Sequence, residues 1–468
     1  MPPHTHPSQA EHVPRHGHRR RVKKKWVGAT AIILILLTTA ATFYLTNPFT
    51  RFSLVEEPFT TELKSGSQIQ LKQEVSLNLR ANRLYRNFSK LKSAYHIAND
   101  AISRTKRTKS VLLDGIISEI HTLRFNPDRP FLISGDHFST LYPRSLSIFY
   151  GSLLDPRTAL DEKDWSNRQR IYLQTTAYAM NAFKESLSLS TTIVPVGPHS
   201  VSLINIYNPP SDTLYSLLYA LNAMQSTKDM EATYTFPDDG TYVLQTQSAA
   251  QLLQEQYKEN LVAQLDHYMK YVTDPSTGLV KKDILLSGSK DISMRQSAFY
   301  DNVILWKTQQ LAQQLGLVPS DQAHLDTLKK TILKTFWSEQ MGCFLEDLSA
   351  NSLRDHYYSS DWIIVLQTGF LDTKNIDERP YFEKCVSYIQ KEKLDQPFGL
   401  RYQQTNRSER EYSIVRILVG DYGGTAIWSH LGQEYTKLLV LLYLQTKNQA
   451  YLDTAKRQVD AYTANIIK

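Results

Sequence analysis

The chain has 468 residues, of which 41% are hydrophobic and 21% charged, proportions typical of a globular protein large enough to bury a core. Its formal net charge of +7 is concentrated in residues 1–25, where seven Lys or Arg stand against one acid, so this tail carries +6 and the remaining 443 residues sum to +1. A nearly neutral body offers no electrostatic basis for nucleic-acid binding, and we exclude that partner.

The first predicted element is a membrane-spanning helix at residues 26–46, directly after the basic tail. The stretch WVGATAIILILLTTAATFYLTNPFT contains no charged side chain, and about 20 helical residues cross a ~30 Å hydrocarbon core. The preceding RRRVKKK predicts a cytoplasmic N-terminus and an extracytoplasmic body. A cleaved signal peptide is the alternative, but its apolar region usually has only ~7–15 residues. We therefore predict a single-pass anchor in the lipid bilayer of the cell membrane.

Residues 47–70 are polar, contain two prolines and predict a linker, whereas residues 71–468 predict one mostly helical domain. The helical pattern is clearest in TLYSLLYALNAM, where Leu214, Leu217, Leu218 and Leu221 fall on one stripe. The main exception is TFPDDGTYVL, in which Asp-Gly between alternating residues predicts a small β-hairpin at 235–244.

A weak repeat runs through the second half of the chain. The segments DPSTGLV, SEQMGCFLED and DQPFGLRY each place a glycine before apolar or aromatic residues, a polar loop and a new helix. Their glycines, Gly278, Gly342 and Gly399, are 64 and 57 residues apart, a period that fits two helices with their connections. If such hairpins close into a ring, the loops between them lie on one face.

An acid lies near the start of the helix that opens each unit, at Asp212, Asp301, Asp361 and Asp421. Aspartate is a preferred N-cap, and we interpret Asp212 in PPSDTLY as a cap. For Asp361 in YSSDWIIVL, a cap and a functional role are equally open. Asp301 in AFYDNVILW and Asp421 in VGDYGGTAIW have aromatic or glycine-rich neighbours, and we predict that they belong to a functional site.

Helical hairpins over roughly residues 75–468 resemble the (α/α)6 toroid of the six-hairpin glycosidases, which include trehalases, glucoamylases and processing-glucosidase-like hydrolases. AFYDNVILW is similar to the segment that carries the general acid in trehalase- and glucosidase-type members, and this match falls on Asp301. VGDYGGTAIW is similar to the segment that holds the general base of trehalases. That match falls on Asp421 although the family has Glu there, and Glu434 in GQEY is the alternative.

The resemblance implies an all-α toroid with small β-hairpin insertions, preceded by the transmembrane helix, and side chains that bind sugar around its cavity. Aromatic rings beside loop ends could stack on sugar faces, and arginines could bind hydroxyls or an anionic sugar, or serve only as ion-pair partners. Arg144 lacks the Asp that directly follows the corresponding arginine in the glucoamylase-like pattern. The predicted substrate-binding residues are Asp136, Arg144, Arg295, Tyr300, Asp361, Tyr422 and Trp428.

The implied activity is the hydrolysis of a glycan by two carboxylates, one protonated and one ionised, in an inverting geometry that leaves ~6.5–9.5 Å between them. This chemistry requires no metal and no organic cofactor. The alternative is a toroid that has lost its catalytic pair and binds glycan or serves in cell-envelope assembly. A lyase or epimerase would need a Tyr or His base, which the spacing does not identify. Cys343 and Cys385 could pair in an exported domain, but their spacing leaves this open.

Overall fold

The computed structural model describes residues 52–55, 58–60, 74–76, 131–132, 140–148, 161–184, 186–187, 189–197, 200–205, 208–227, 231–236, 240–290, 293–406 and 421–466. All of them belong to one unit of the chain, which begins at Phe49 and ends at Lys468. The predicted basic tail at 1–25, the predicted anchor at 26–46 and Asp136 lie outside the described residues. Within the described ranges, every helix is too short or too polar to span a bilayer.

The described part of the chain is mostly helical, as the sequence predicts. In chain order the helices are α1 (Ser145–Ile148), α2 (Glu162–Ala182), α3 (Thr213–Ser226), α4 (Thr246–Val272), α5 (Phe299–Gln314), α6 (Gln322–Phe336), α7 (Ala350–Asp355), α8 (Ile364–Thr368), α9 (Arg379–Lys391), α10 (Ser429–Thr446) and α11 (Gln449–Ile466). A short 3-10 helix, Ser360–Ile363, precedes α8.

The strands are β1 (Phe52–Val55), β2 (Pro58–Thr60), β3 (Glu74–Ser76), β4 (Thr192–Gly197), β5 (Ser200–Ile204), β6 (Glu231–Phe236), β7 (Gly240–Gln245), β8 (Trp337–Ser338), β9 (Cys343–Phe344), β10 (Leu400–Arg401) and β11 (Ile427–Trp428). Strands β6 and β7 form the hairpin predicted around 235–244. Strand β5 lies antiparallel to both β1 and β4, and β3 joins it to β2.

This five-stranded sheet was not predicted, and two of its strands, β1 and β2, lie in the segment 47–70 that the sequence assigned to a linker. Strands of only three or four residues give little local signal, because their stability comes from partners distant in the chain. Here β1 pairs with β5 along the register Phe52 to Ile204. The β content is therefore larger than the small hairpins that we expected.

Helices that are buried on most sides alternate with helices that bury one face. Helix α3 is the best example of the first kind, because the predicted leucine stripe is buried together with Tyr215 and Ser216 on other faces. Helix α5 is buried from Phe299 to Trp306 without a break. Helices α6 and α9 bury only one face. The fully buried helices pack on one another, α1 on α3, α3 on α5, and α5 on the 3-10 helix, which in turn contacts α10.

The three repeat glycines are turn residues with left-handed backbone conformations. Gly278, Gly342 and Gly399 have φ angles of 74°, 69° and 67°, a region where a side chain is strained. Gly342 lies between the paired strands β8 and β9, and Gly399 directly precedes β10. Each glycine of the sequence repeat therefore lies in a tight turn that precedes the next buried element.

Candidate functional site

Five charged side chains from separate segments lie together near the N-terminal ends of α3, α5 and the 3-10 helix. They are Arg144, Asp212, Arg295, Asp301 and Asp361, here called the aspartate cluster. Each of these residues is at most 9% exposed. Burying a charge is unfavourable unless it is paired or neutralised, so the partners of each carboxyl decide what this cluster can do.

Asp212 is not a helix cap, and our interpretation of it from the sequence was wrong. It occupies the N-cap position of α3 but makes no capping hydrogen bond with its side chain. One carboxylate oxygen lies 3.4 Å from Nη2 of Arg144, and the other accepts a 3.0 Å hydrogen bond from the hydroxyl of Tyr300. The residue is fully buried, and both of its carboxylate oxygens contact side chains from other segments of the chain.

Asp361 forms a buried ion pair and does not cap the 3-10 helix in which it lies, so one of the two roles that the sequence left open is removed and its functional role stays a prediction. Nη1 of Arg295 donates to the carboxylate of Asp361 at 2.6 Å. The N-cap of the 3-10 helix is Ser359, and Asp361 makes no capping bond there. The guanidinium of Arg295 keeps its Nε and Nη2 buried without a hydrogen-bond partner among the described residues.

Asp301 lies in the first turn of α5, whose N-cap is Ala298. Burial raises the pKa of Asp301 to about 6, although the charge of Arg295 and a hydrogen bond from Ser211 lower it. Its Oδ1 is buried and has no hydrogen-bond partner among the described residues. A carboxyl in this environment keeps its proton to a higher pH than an ordinary aspartate does, which is the direction of shift that a general acid needs.

Gly288 leaves the space that this carboxyl occupies. A Cβ at position 288 would lie 2.8 Å from Oδ1 of Asp301 and 2.8 Å from Cδ1 of Tyr300, closer than van der Waals contact permits. Tyr300 itself is buried, and its hydroxyl is bonded to Asp212. Its ring therefore packs in the interior, and we find no exposed face on it of the kind that we predicted for sugar stacking.

The two other predicted acids lie outside the aspartate cluster. Asp421 is solvent-exposed in a turn, where its backbone carbonyl accepts from the N–H groups of Gly424 and Ala426. The helix that follows begins only at Ser429, later than the sequence suggested. Glu434 forms a 3.4 Å ion pair with Lys437 on α10.

The aromatic residues before α10 pack on one another. Nε1 of Trp428 donates to the carbonyl of Tyr422 at 3.0 Å, and the centroids of the two rings are 4.7 Å apart at a steep angle. The ring of Trp428 also contacts Tyr402 and His430. Both predicted stacking residues, Tyr422 and Trp428, are partly exposed and thus retain surface for a ligand.

His430 connects the start of α10 to the aspartate cluster. Burial lowers its pKa to about 4, with the charge of Asp361 raising it and that of Arg144 lowering it. The imidazole is therefore neutral at pH 7. His430, in the first turn of α10, is thus within electrostatic reach of Asp361 and Arg144 in the aspartate cluster.

A buried lysine beside the aspartate cluster was missed in the sequence analysis. Nζ of Lys290 lies 2.7 Å from the carboxylate of Glu346, which also accepts from the amide of Gln403 at 2.6 Å. Nζ also lies 4.8 Å above the ring of Tyr402. Burial lowers the pKa of Lys290, whereas Glu346 raises it. Glu346 follows the repeat glycine within SEQMGCFLED, but lysine is so rarely buried that no sequence signal identified the pair.

The sequence left open whether Cys343 and Cys385 pair. In the structure, Cys343 of β9 and Cys385 of α9 form a disulfide bond.

In the described ranges, no group of three or more His, Cys, Asp or Glu side chains is arranged to hold a metal ion. The aspartate cluster supplies a carboxyl with a raised pKa, on Asp301, and two guanidinium groups that can donate hydrogen bonds.

No family model and no curated protein matches the chain. Among solved structures, it is similar to a GH63 mannosylglycerate hydrolase from Thermus thermophilus, in complex with glucose, with 12% identity, a TM-score of 0.39, and 72% of this chain and 88% of that one covered. It is also similar to a metal-independent alpha-mannosidase from Streptococcus pneumoniae in a non-productive complex with alpha-1,6-mannobiose, with 10% identity, a TM-score of 0.39, and 81% and 86% covered. Neither likeness is close enough to assign the chain to a family.

Proposed function

We propose that the protein is a glycoside hydrolase built on an (α/α)6 toroid, with Asp301 as its general acid. The supporting observation is the environment of this carboxyl, which is buried, has a pKa raised to about 6 by that burial, and keeps one oxygen free of hydrogen bonds in the described structure. The alternation of helices buried on most sides with helices that bury only one face agrees with the layered packing of such a toroid.

The second carboxylate of the proposed reaction must activate a water molecule. Asp421 is the proposed base and Glu434 the alternative, as the resemblance implies, and the exposure of Asp421 gives it access to water. Asp212 and Asp361 are poorer candidates, because each is buried and paired with an arginine. In this proposal Asp212 orients Tyr300, while Arg295 and Arg144 help to bind sugar hydroxyls.

A catalytically inactive glycan-binding or envelope-assembly protein is the second candidate. The observation that favours it is the burial of the aspartate cluster, in which two of three carboxylates are neutralised by ion pairs. A hydrolase needs the acid and the base to face one substrate, whereas the structure buries Asp301 and exposes Asp421.

The deciding experiment is hydrolysis of a panel of α- and β-glycosides by the full chain and by Asp301→Asn. Loss of a general acid lowers turnover by about 10²–10⁴-fold. The matched control is Asp266→Asn, an exposed aspartate on α4 whose carboxylate lies 3.3 Å from Lys270, and it should retain full turnover. Unchanged turnover in Asp301→Asn would remove that residue from its role. Binding of glycans without any turnover would favour the second candidate.

We further propose that residues 26–46 anchor the protein in the cell membrane with the N-terminus in the cytoplasm and the body outside. The disulfide between Cys343 and Cys385 supports an extracytoplasmic body, because structural disulfides persist in oxidising compartments.

A further inference from the structure

A pocket of about 160 Å³ opens between α4 and the segment before α3, and it shares no lining residue with the aspartate cluster. One side of it is aliphatic. This side is formed by Leu187, Leu189 and Leu214 together with Pro209 and Pro210. Leu187 stands at the rim with half of its surface exposed, whereas Leu189 and Leu214 are buried.

The remaining lining residues belong to α4 and include the aromatic side chains of His267, Tyr268 and Tyr271. The rings of His267 and Tyr271 are almost parallel, 2° apart, with their centroids separated by 6.4 Å. No Asp, Glu, Lys or Arg is among the described residues that line the pocket, so this lining provides no charge to bind an ion.

The polar groups deep in the pocket are already bonded to the protein. The amide nitrogen of Gln264 donates to the carbonyls of Phe183 and Ser186 at 3.0 and 2.9 Å. The hydroxyl of Tyr268 donates to the carbonyl of Ser211 at 3.0 Å. A ligand therefore meets mainly apolar surface inside and finds polar partners only near the rim.

The size of the pocket limits the ligand to about one ring. An apolar cavity of about 150 Å³ accommodates benzene, and the volume of this pocket is close to that value. A six-membered ring with an apolar face fits both the volume and the lining, with any hydroxyl groups directed toward the open side.

Hydrogen bonds of Ser211 link the lining of the pocket to the aspartate cluster. Ser211 donates its N–H to the carbonyl of Ser287 at 2.9 Å, and Ser287 donates to the carbonyl of Pro209 at 2.8 Å. The side chain of Ser211 is hydrogen-bonded to Asp301. Because the carbonyl of Ser211 also accepts from Tyr268 of the pocket lining, Ser211 joins the pocket to the proposed general acid.

We propose that this pocket is a second binding site, for an uncharged six-membered ring with an apolar face. The ring is either a sugar unit of the glycan or an apolar group attached to it, a choice of ligand that rests on the proposed function. The pocket itself is defined by its volume and lining, which do not depend on catalysis.

The test is saturation-transfer NMR with methyl glucopyranoside, phenyl glucopyranoside and cyclohexanol as probes. Leu187→Glu places a charge at the rim and should weaken binding at least tenfold. The matched control, Leu353→Glu, alters another half-exposed leucine, on α7, and should bind as the unmodified protein does.

Binding of all three probes would identify the sugar ring as a ligand, and binding of only the phenyl glycoside and cyclohexanol would identify the apolar group. Either pattern supports the site, provided that Leu187→Glu weakens it. Equal binding by Leu187→Glu and the unmodified protein, or binding of none of the probes, would overturn the proposal. Binding without hydrolysis of any glycoside would contradict only the proposed function.

Discussion

At the scale of single residues, the same amino acid at similar positions has different roles. Asp321 is a true N-cap, whose side chain accepts from the N–H of His324 at 2.9 Å at the start of α6. Asp212 stands at the equivalent position of α3 but bonds to Arg144 and Tyr300. Local sequence does not distinguish the two, because the difference lies in which distant side chains surround each carboxyl.

This difference predicts unequal losses of stability. Asp321→Ala should lower the free energy of unfolding by about 1 kcal/mol, the usual value of a cap. Asp212→Ala leaves a buried arginine without this carboxylate and should lower it by about 3–5 kcal/mol. Chemical denaturation of both variants checks the prediction, and equal losses would mean that Asp212 is only a cap.

Asp301 should make stability depend on pH. Its pKa rises from the ordinary value of 3.8 to about 6 in the fold, through burial. As pH increases, the unfolded chain loses this proton first, so the native state is disfavoured progressively between about pH 4 and pH 6 and by a constant amount above that range. Below pH 4 both states are protonated and the penalty disappears.

Asp301→Asn removes this penalty and should stabilise the protein at pH 7 by up to about 3 kcal/mol, the equivalent of the pKa shift. The gain should vanish near pH 4. Urea denaturation at the two pH values measures it, with Asp266→Asn as the control. A stability change of the same size at both pH values would contradict the raised pKa.

The space at Gly288 gives a steric prediction. Gly288→Ala places a methyl group against Oδ1 of Asp301 and the ring of Tyr300, and overpacking of this kind lowers stability by about 1–3 kcal/mol. Because the displaced group is a carboxyl, the pH dependence of unfolding between pH 4 and 6 should change as well. If Gly288→Ala is destabilised but the pH dependence of its unfolding is unchanged, the pKa of Asp301 does not depend on the space at position 288.

At the scale of secondary-structure elements, the sequence predicted correctly those features that depend only on residues close together in the chain. The leucine stripe of α3 and the hairpin of β6 and β7 appear as predicted. The repeat of Gly278, Gly342 and Gly399 was visible in the sequence, and the structure shows that each has a left-handed backbone conformation. The strands β1 and β2 did not follow from the sequence, because they are held by pairing with β5 and β3. Similarly, α10 begins at Ser429 because Ile427 and Trp428 pair with β10 instead.

The disulfide joins two such elements, the hairpin strand β9 and helix α9. Its cysteines are 42 residues apart in the chain, and closing a loop of this length stabilises the fold by about 4 kcal/mol through the lost entropy of the unfolded chain. The double variant Cys343→Ala, Cys385→Ala should lose about this amount. Denaturation with and without a reductant measures it, and the variant itself should not respond to reductant.

At the scale of the whole molecule, the prediction concerns location. The full chain should fractionate with membranes, and its two cysteines should be oxidised when the body is outside the cytoplasm. A chain without residues 1–46, retained in the cytoplasm, should yield two free thiols on labelling in denaturant. Reduced cysteines in the full-length membrane fraction would argue against the proposed orientation.

The sequence by itself determined the helical character of the body, the leucine stripe and the hairpin, because these depend on periodicity and backbone preference over a few residues. The tertiary structure alone decided the roles of the aspartates. Arg295 is 66 residues from Asp361, and Tyr300 is 88 residues from Asp212. A carboxyl's charge and pKa depend on the water removed from it and the partners brought to it, and both are supplied by segments far away in the chain.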